Sequence, residues 1–330
     1  MKTTTLGASR LEVSRLCLGT MNFGTHVDRD GAHAVLDAAL AAGINYVDTA
    51  NRYGTAERPH ASEEIIGEWL AKGGGRRERT VLATKVFEAT DEWPNNGGLS
   101  ALNIRRANDA SLARLQTDYV DVYQMHHIDR LAPWDEIWDA LDLLRLQGRI
   151  VYTGSSNFAG WHLAMAQSAA RRRNGLGLIT EQSVYNLAQR TIELEVLPAA
   201  RELGIGVVPW SPLAGGLLAG GESPGASASP GGAATGRRAS PEFAERMLRH
   251  EAALAATRDV AGDLGASVAV LSLAWLLAQP GVAAPIIGPR TPEQLESLLP
   301  AVELELGTDV LARLDEIWPG PGEAPEAYAW

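Results

Sequence analysis

The stretch Gly43-Ile44-Asn45-Tyr46-Val47-Asp48-Thr49-Ala50-Asn51-Arg52-Tyr53 decides how the chain is read. Gly43 can end a helix. Ile44–Val47 reads as a short strand, and Asp48 stands where it stops. Tyr53 follows five residues later, on a loop. An acid that closes a strand, with a phenol on the next loop, is how an α/β barrel builds a site at the carboxyl ends of its strands. A phenol titrates near about pH 10 in water, so it needs help to give up a proton near neutrality.

The same rhythm runs outward from this stretch. Upstream, Thr3–Leu6 and Leu11–Val13 flank a turn and predict a hairpin; Leu16–Leu18 is a strand closed by Gly19-Thr20, and Asp30–Ala42 is an alanine-rich helix. Downstream, strands are predicted at Thr80–Lys85, Tyr119–Met125, Ile150–Thr153, Leu178–Thr180, Ile205–Val208 and Val282–Ile287. Between them lie helical patterns. Ser100 is an N-cap candidate for Ser100–Leu115, and Trp134, Ile137, Trp138 and Leu141 share one face of Trp134–Gln147. Helices are also expected over Pro241–Leu264, Ser267–Ala278, Pro292–Leu299 and Asp309–Trp318, then an extended strap over Pro319–Trp330. Residues 214–240, rich in Gly, Ala, Ser and Pro, read as a long loop after the seventh strand. Eight βα units predict a (β/α)8 TIM barrel with an N-terminal β-hairpin, one domain over residues 1–330. A doubly wound sheet is the alternative, but no strand–GxGxxG–helix unit anchors it.

Composition narrows the function. Of 330 residues, 45% are hydrophobic and the net charge is −11, which disfavours nucleic acid and anionic membranes as partners. Arg171-Arg172-Arg173 sits at a predicted helix end, where it complements the helix dipole. One cysteine, Cys17, excludes an intrachain disulfide, and the N-terminus has no apolar signal-peptide core, so a cytoplasmic protein is expected.

A barrel brings the strand ends Asp48, Lys85, His126, Ser156-Asn157, Gln182, Trp210-Ser211 and Gly288–Arg290 to one rim. Lys85 beside Tyr53 is expected to stabilise the phenolate and depress the tyrosine pKa, with Asp48 holding Lys85 charged. Tyr53 then serves as a general acid for a developing alkoxide, and His126 orients the carbonyl. A nicotinamide is the natural missing reductant. His126 and His127 point to opposite sides of an extended strand, so they are not a chelating pair and no metal site is expected. Cys17 reads as a buried apolar residue. Trp93, after Lys85, is a candidate for the substrate mouth.

Asp48–Tyr53, Lys85, Asp121–His126, Gly154–Phe158, Gln182 with Asn186, Trp210–Leu213, and Gly288–Arg290 with Gln294 together resemble the aldo-keto reductase superfamily over essentially the whole chain. The resemblance implies NADPH/NADP+ as cofactor and a small-molecule carbonyl substrate. It implies Tyr53 as acid/base, Asp48 and Lys85 as its tuning partners, and His126 as the carbonyl-orienting group. It assigns Ser156, Asn157 and Gln182 to the nicotinamide carboxamide and Trp210 to the ring. Gly19, Thr20, Met21 and Asp48 belong to the cofactor rim. Ser211, Leu213, Gly215 and Gly216 fall to the pyrophosphate, with the 214–240 loop as a candidate clasp, Arg290 and Gln294 face the adenosine 2′-phosphate, and Gly288 counts among the cofactor contacts. Relatives often carry Gln-Leu-x-Glu-Asn where this chain has Gln294-Leu295-Glu296-Ser297-Leu298, which implies looser adenine binding.

Trp134–Trp138, Asn157–Trp161 and the terminal Pro325–Trp330 look like actinobacterial members linked to reduction of keto- or enoyl-sugar nucleotides. That likeness makes an NDP-hexose 2,3-enoyl or keto-sugar reductase the first alternative. Arg52, Arg58 and Arg130 near the rim suit a diphosphate. The second alternative is a slow-turnover, NADPH-binding redox-sensing module.

Overall fold

In the computed structural model, which describes residues 1–220 and 240–329, eight parallel strands surround a packed interior. The hairpin is β1 (Thr3–Thr5) with β2 (Glu12–Ser14). The barrel strands are β3 (Cys17–Gly19), β4 (Tyr46–Asp48), β5 (Val81–Val86), β6 (Val120–Met125), β7 (Ile150–Ser156), β8 (Leu178–Gln182), β9 (Gly206–Val207) and β10 (Ile286–Ile287). Their order is β10-β3-β4-β5-β6-β7-β8-β9, and a parallel bridge between Val207 and Val282 joins the two ends. The predicted (β/α)8 barrel with its hairpin is therefore what forms.

Strand alternation sorts the side chains. Cys17, Tyr46, Val81, Ala83 and Val122 point inward and form one buried cluster. Leu18, Val47, Leu82, Tyr123 and Met125 point outward into a larger core shared with the helices. The outer layer begins with α1 (Arg29–Ala41), α2 (Ala61–Ala71), α3 (Ala101–Leu115), α4 (Trp134–Leu146), α5 (Gly160–Arg172) and α6 (Val196–Leu203). Ser100 caps α3, accepting from Asn103 N, and Ile137, Trp138 and Leu141 form the buried face of α4, as their spacing predicts. Arg171 and Arg172 occupy the last turn of α5, while Arg173 pairs with Asp139 and Asp142 of α4.

Three predicted elements differ, two of them for a local reason. Val282–Ile287 is not one strand: Pro285 has no N–H for the ladder, so pairing with β3 is confined to Ile286–Ile287. Pro241–Leu264 breaks at His250 into α7 (Pro241–Arg249) and α8 (Glu251–Asp263), and the His250 ring packs 5.4 Å from Trp318. The layer then continues through α9 (Val268–Ala278), α10 (Pro292–Leu298) and α11 (Thr308–Ile317). The terminal strap gains a short helix, α12 (Glu326–Ala329). Most of the loop expected over the site, and Trp330, lie outside the described residues. Among the described residues, no single helix is long and apolar enough to cross a membrane.

The hairpin closes the barrel floor. Leu6 and Val13 join the inner cluster, and Gly7 turns at φ 57° against β8. A Cβ on Gly7 would lie 2.3 Å from the Ile179 carbonyl oxygen. Backbone cannot yield there as a flexible side chain would. Gly7→Ala is expected to destabilise the fold by about 1–3 kcal/mol. Thermal unfolding checks this, and an unchanged Tm would mean that the hairpin does not pack as described.

Candidate active site

The rim is built around a buried ion pair. Lys85 ends the inward-facing row Val81, Ala83, Lys85 of β5, and Asp48 ends β4. Both are almost fully buried, at 1% and 2% exposure. Lys85 Nζ donates to Asp48 Oδ2 at 2.5 Å, to the Thr49 carbonyl at 2.9 Å and to Tyr53 Oη at 3.1 Å, which uses all three of its protons. His126 follows β6, and its ring meets that of Tyr53 edge-on with centroids 5.8 Å apart. The four predicted residues Asp48, Tyr53, Lys85 and His126 are thus brought together.

Electrostatics corrects one expectation. Burial pushes the Tyr53 phenol above its ordinary value; Lys85 pulls it down but does not win, and Asp48 adds to the rise. The depressed tyrosine pKa expected from sequence is not found, because a carboxylate and a desolvated setting accompany the lysine. Burial also works against the Lys85 ammonium, but Asp48 and Tyr53 outweigh it and hold its pKa above the usual lysine value. Burial, with Lys85 and His127 adding to it, lowers His126 to about 3, so its imidazole is neutral near pH 7.

The cofactor candidates divide by partner. Gln182 Nε2 donates to Asp48 Oδ1 at 2.6 Å, so this amide is tied to the ion pair as well as being a carboxamide candidate. Ser156 Oγ donates to the Gln182 carbonyl at 3.0 Å. Asn157 takes a left-handed conformation, φ 60°, and bonds the His126 carbonyl; its Oδ1 accepts from Trp210 Nε1 at 3.1 Å, which fixes the half-exposed indole. Thr20 is fully buried, its hydroxyl donating to the Asp48 carbonyl and accepting from Ser62. Gly19 packs on β10, where a Cβ would lie 2.4 Å from Ile286 Cγ2, whereas Met21 is 43% exposed. At the far end, Gly288 accepts from Asn22 Nδ2, and Gln294 Oε1 caps the Arg290 N–H at 2.8 Å. Leu298 is buried and Ser297 bonds back to its own helix, in keeping with the altered adenine end.

The residues present fit a dinucleotide. Ser211, Ala214, Gly215 and Gly216 all have positive φ, and two of these are non-glycine residues in a strained region. The winding is closed by its own hydrogen bonds, Ala214 N–H donating to the Ser211 carbonyl and Gly216 N–H to the Leu213 carbonyl, both at 2.9 Å. It borders a cavity of about 520 Å³ lined by Asn186, Trp210, Ser211, Gly215 and Arg246. Asn186 Oδ1 is buried there without a partner among the described residues.

Two functional candidates escaped sequence reasoning. Gln124 Nε2 gives Asp48 Oδ1 its second donor, at 3.0 Å. Its signal was a polar residue inside an apolar strand, two positions before His126 and so on the same face. Glu181 is fully buried and accepts from Ser155 Oγ, Ser183 Oγ and Phe158 N, which anchors the turn that carries Asn157. Burial lifts its carboxyl to about 7 against those hydrogen bonds.

An unpaired buried ammonium is expensive. Asp48→Ala is expected to destabilise the fold by roughly 3–5 kcal/mol. Adding Lys85→Met to that variant is expected to recover most of the loss. Denaturant unfolding of both variants checks this; a double variant no more stable than the single would show that the pair is not the source.

The aldo/keto reductase family profile matches residues 15–319. The chain is 52% identical over 336 residues to an uncharacterized oxidoreductase, YrpG, of Bacillus subtilis, with all of both chains covered. It is 32% identical to a probable voltage-gated potassium channel subunit beta of Arabidopsis thaliana, covering 99% of this chain and all of the other. It is 31% identical to versiconal hemiacetal acetate reductase of Aspergillus parasiticus, covering 96% of each. With its barrel and its rim of Asp48, Tyr53, Lys85 and His126, the chain belongs to the aldo/keto reductase family, whose members are NADP(H)-dependent oxidoreductases.

Proposed function

We propose that this chain is an NADPH-dependent carbonyl reductase with Tyr53 as general acid, a single barrel domain over residues 1–330 acting in the cytoplasm. The observation that carries the reading is the Lys85 Nζ bond to Tyr53 Oη at 3.1 Å, made by an ammonium that Asp48 holds in a dry place. When bound, the nicotinamide supplies the reducing equivalent to the carbonyl carbon. Tyr53 Oη–H gives its proton to the carbonyl oxygen, and the Lys85 ammonium stabilises the phenolate left behind. His126, neutral at working pH, donates a hydrogen bond to the same oxygen without competing for the proton. Ser156, Asn157, Gln182 and Trp210 would hold the nicotinamide end, with Gly19, Thr20 and Met21 beside it. Ser211, Leu213, Gly215 and Gly216 would take the pyrophosphate, and Gly288, Arg290 and Gln294 the 2′-phosphate end.

A sugar-nucleotide substrate, keto or enoyl, is the second reading. Among the described residues, Arg52 and Arg130 on rim loops have no carboxylate partner, whereas Arg58 is paired with Glu64 at 2.7 Å. Two guanidinium groups with no carboxylate partner among the described residues, one of them donating to the Ala89 carbonyl, suit a diphosphate. The likeness to a potassium channel subunit beta supports a third reading, a redox-sensing module, against which the complete catalytic set weighs.

Loss of NADPH absorbance against keto-sugars, aldehydes and ketones, with NADH in parallel, tests the function. Turnover confined to sugar nucleotides would select the second reading. Tyr53→Phe is expected to lower turnover by roughly 10²–10⁴-fold with NADPH binding retained. Equal turnover in the variant would sink the mechanism. Tyr53 must be protonated to act, and its pKa lies above its ordinary value, while His126 is neutral above about 3. The reduction rate should therefore be flat over roughly pH 5 to 8 and fall only on the alkaline side. A loss centred near neutrality would point to a different proton donor.

A further inference from the structure

Gln124 has no task in the mechanism above, yet it sits in its midst. It is fully buried on β6, facing the barrel interior with Val122. Its Nε2 donates to Asp48 Oδ1 at 3.0 Å, while its Oε1 is buried with no partner among the described residues. Turning the amide over would set its oxygen against a carboxylate oxygen, so Asp48 dictates its orientation. The barrel has also made room for it. Gly154 stands opposite Gln124 in the β6–β7 register, and a Cβ there would lie 3.0 Å from Gln124 Cγ and 2.5 Å from Thr180 Cγ2. An apolar side chain of similar size would fill this space and orphan nothing. The unpaired carbonyl is a penalty whose return is found at Asp48.

We propose that Gln124 is a positioning residue for the proton donor: together with Gln182 it pins Asp48 Oδ1, so that Oδ2 stays on Lys85 and Lys85 stays on Tyr53. The inference rests on Tyr53 as the general acid. The groups that face Tyr53 are Lys85 of β5, Asp48 of β4, Cys17 of β3 and the neutral His126 beyond β6. Of these, Gln124 touches Asp48. The positive end of its N–H dipole offsets part of the carboxylate field that makes Tyr53 a weaker acid. Removing that dipole therefore raises the Tyr53 pKa.

The test uses the full chain labelled with carbon-13 at tyrosine Cζ, the Tyr53 signal being assigned by its loss in Tyr53→Phe. Gln124→Met keeps the volume and removes the donor; Gln124→Leu removes it with a smaller side chain. The Tyr53 midpoint is expected to rise by about 0.5–1 unit in both Gln124→Met and Gln124→Leu. The alkaline limb of carbonyl reduction should move with it, at unchanged NADPH affinity. A Gln124 that merely fills space would alter thermal stability and leave the Tyr53 midpoint in place. That result, or a downward shift, overturns the proposal. The titration needs no substrate, so absent turnover in every form would strike the reductase reading while the midpoint still decides the role of Gln124.

Discussion

The Lys85–Asp48 ion pair is the constraint on which the rest of the site depends. Taking an ammonium and a carboxylate out of water costs several kcal/mol for each ion, and mutual attraction repays this only when the remaining protons and lone pairs are also satisfied. Here they are. Lys85 has three acceptors, and Asp48 Oδ1 has two amide donors, Gln124 and Gln182. These partners come from β4, β5, β6, β8 and the loop after β4. No local segment could assemble them, so the pair binds the geometry of the proposed site to closure of the barrel.

The outer parts of the rim serve this centre. Thr20, Thr49 and Ser62 form a buried hydroxyl cluster that ties the end of β3 to the start of α2. Glu181 holds the turn after β7, and through it Asn157 and the Trp210 indole. Left-handed backbone at Asn157, Ser211 and Ala214 is local strain, and it falls on two segments proposed to meet the cofactor. The barrel staves are rigid enough to hold such conformations.

Much of this was legible because barrel chemistry lies at strand ends. Asp48, Lys85 and His126 stand at the ends of consecutive strands, and a barrel brings such ends to one rim. Three kinds of information were not legible. Pro285 divides the last strand through ladder geometry, which an apolar run does not reveal. His250 breaks a helix whose composition favours continuity. Gln124 and Glu181 are polar residues in strands of otherwise ordinary character, and their partners are distant in sequence: Asp48 for Gln124, Ser155 and Phe158 for Glu181. Long-range pairing of buried polar groups has no periodic signature.

The Tyr53 phenol marks the limit of reasoning from residue types alone. A lysine beside a tyrosine suggests a lowered pKa, and the sign is right for that pair taken alone. The same burial that strengthens the Lys85–Tyr53 interaction also penalises the phenolate, and the carboxylate needed to keep Lys85 charged opposes ionisation of Tyr53. What Lys85 offers is thus less a deprotonated tyrosine at rest than a stabilised phenolate once the proton has left. That is the condition for an acid: protonated before the step, stabilised after it. On the proposed reading, reduction would draw on this arrangement directly, whereas alcohol oxidation would first have to ionise the phenol against its surroundings.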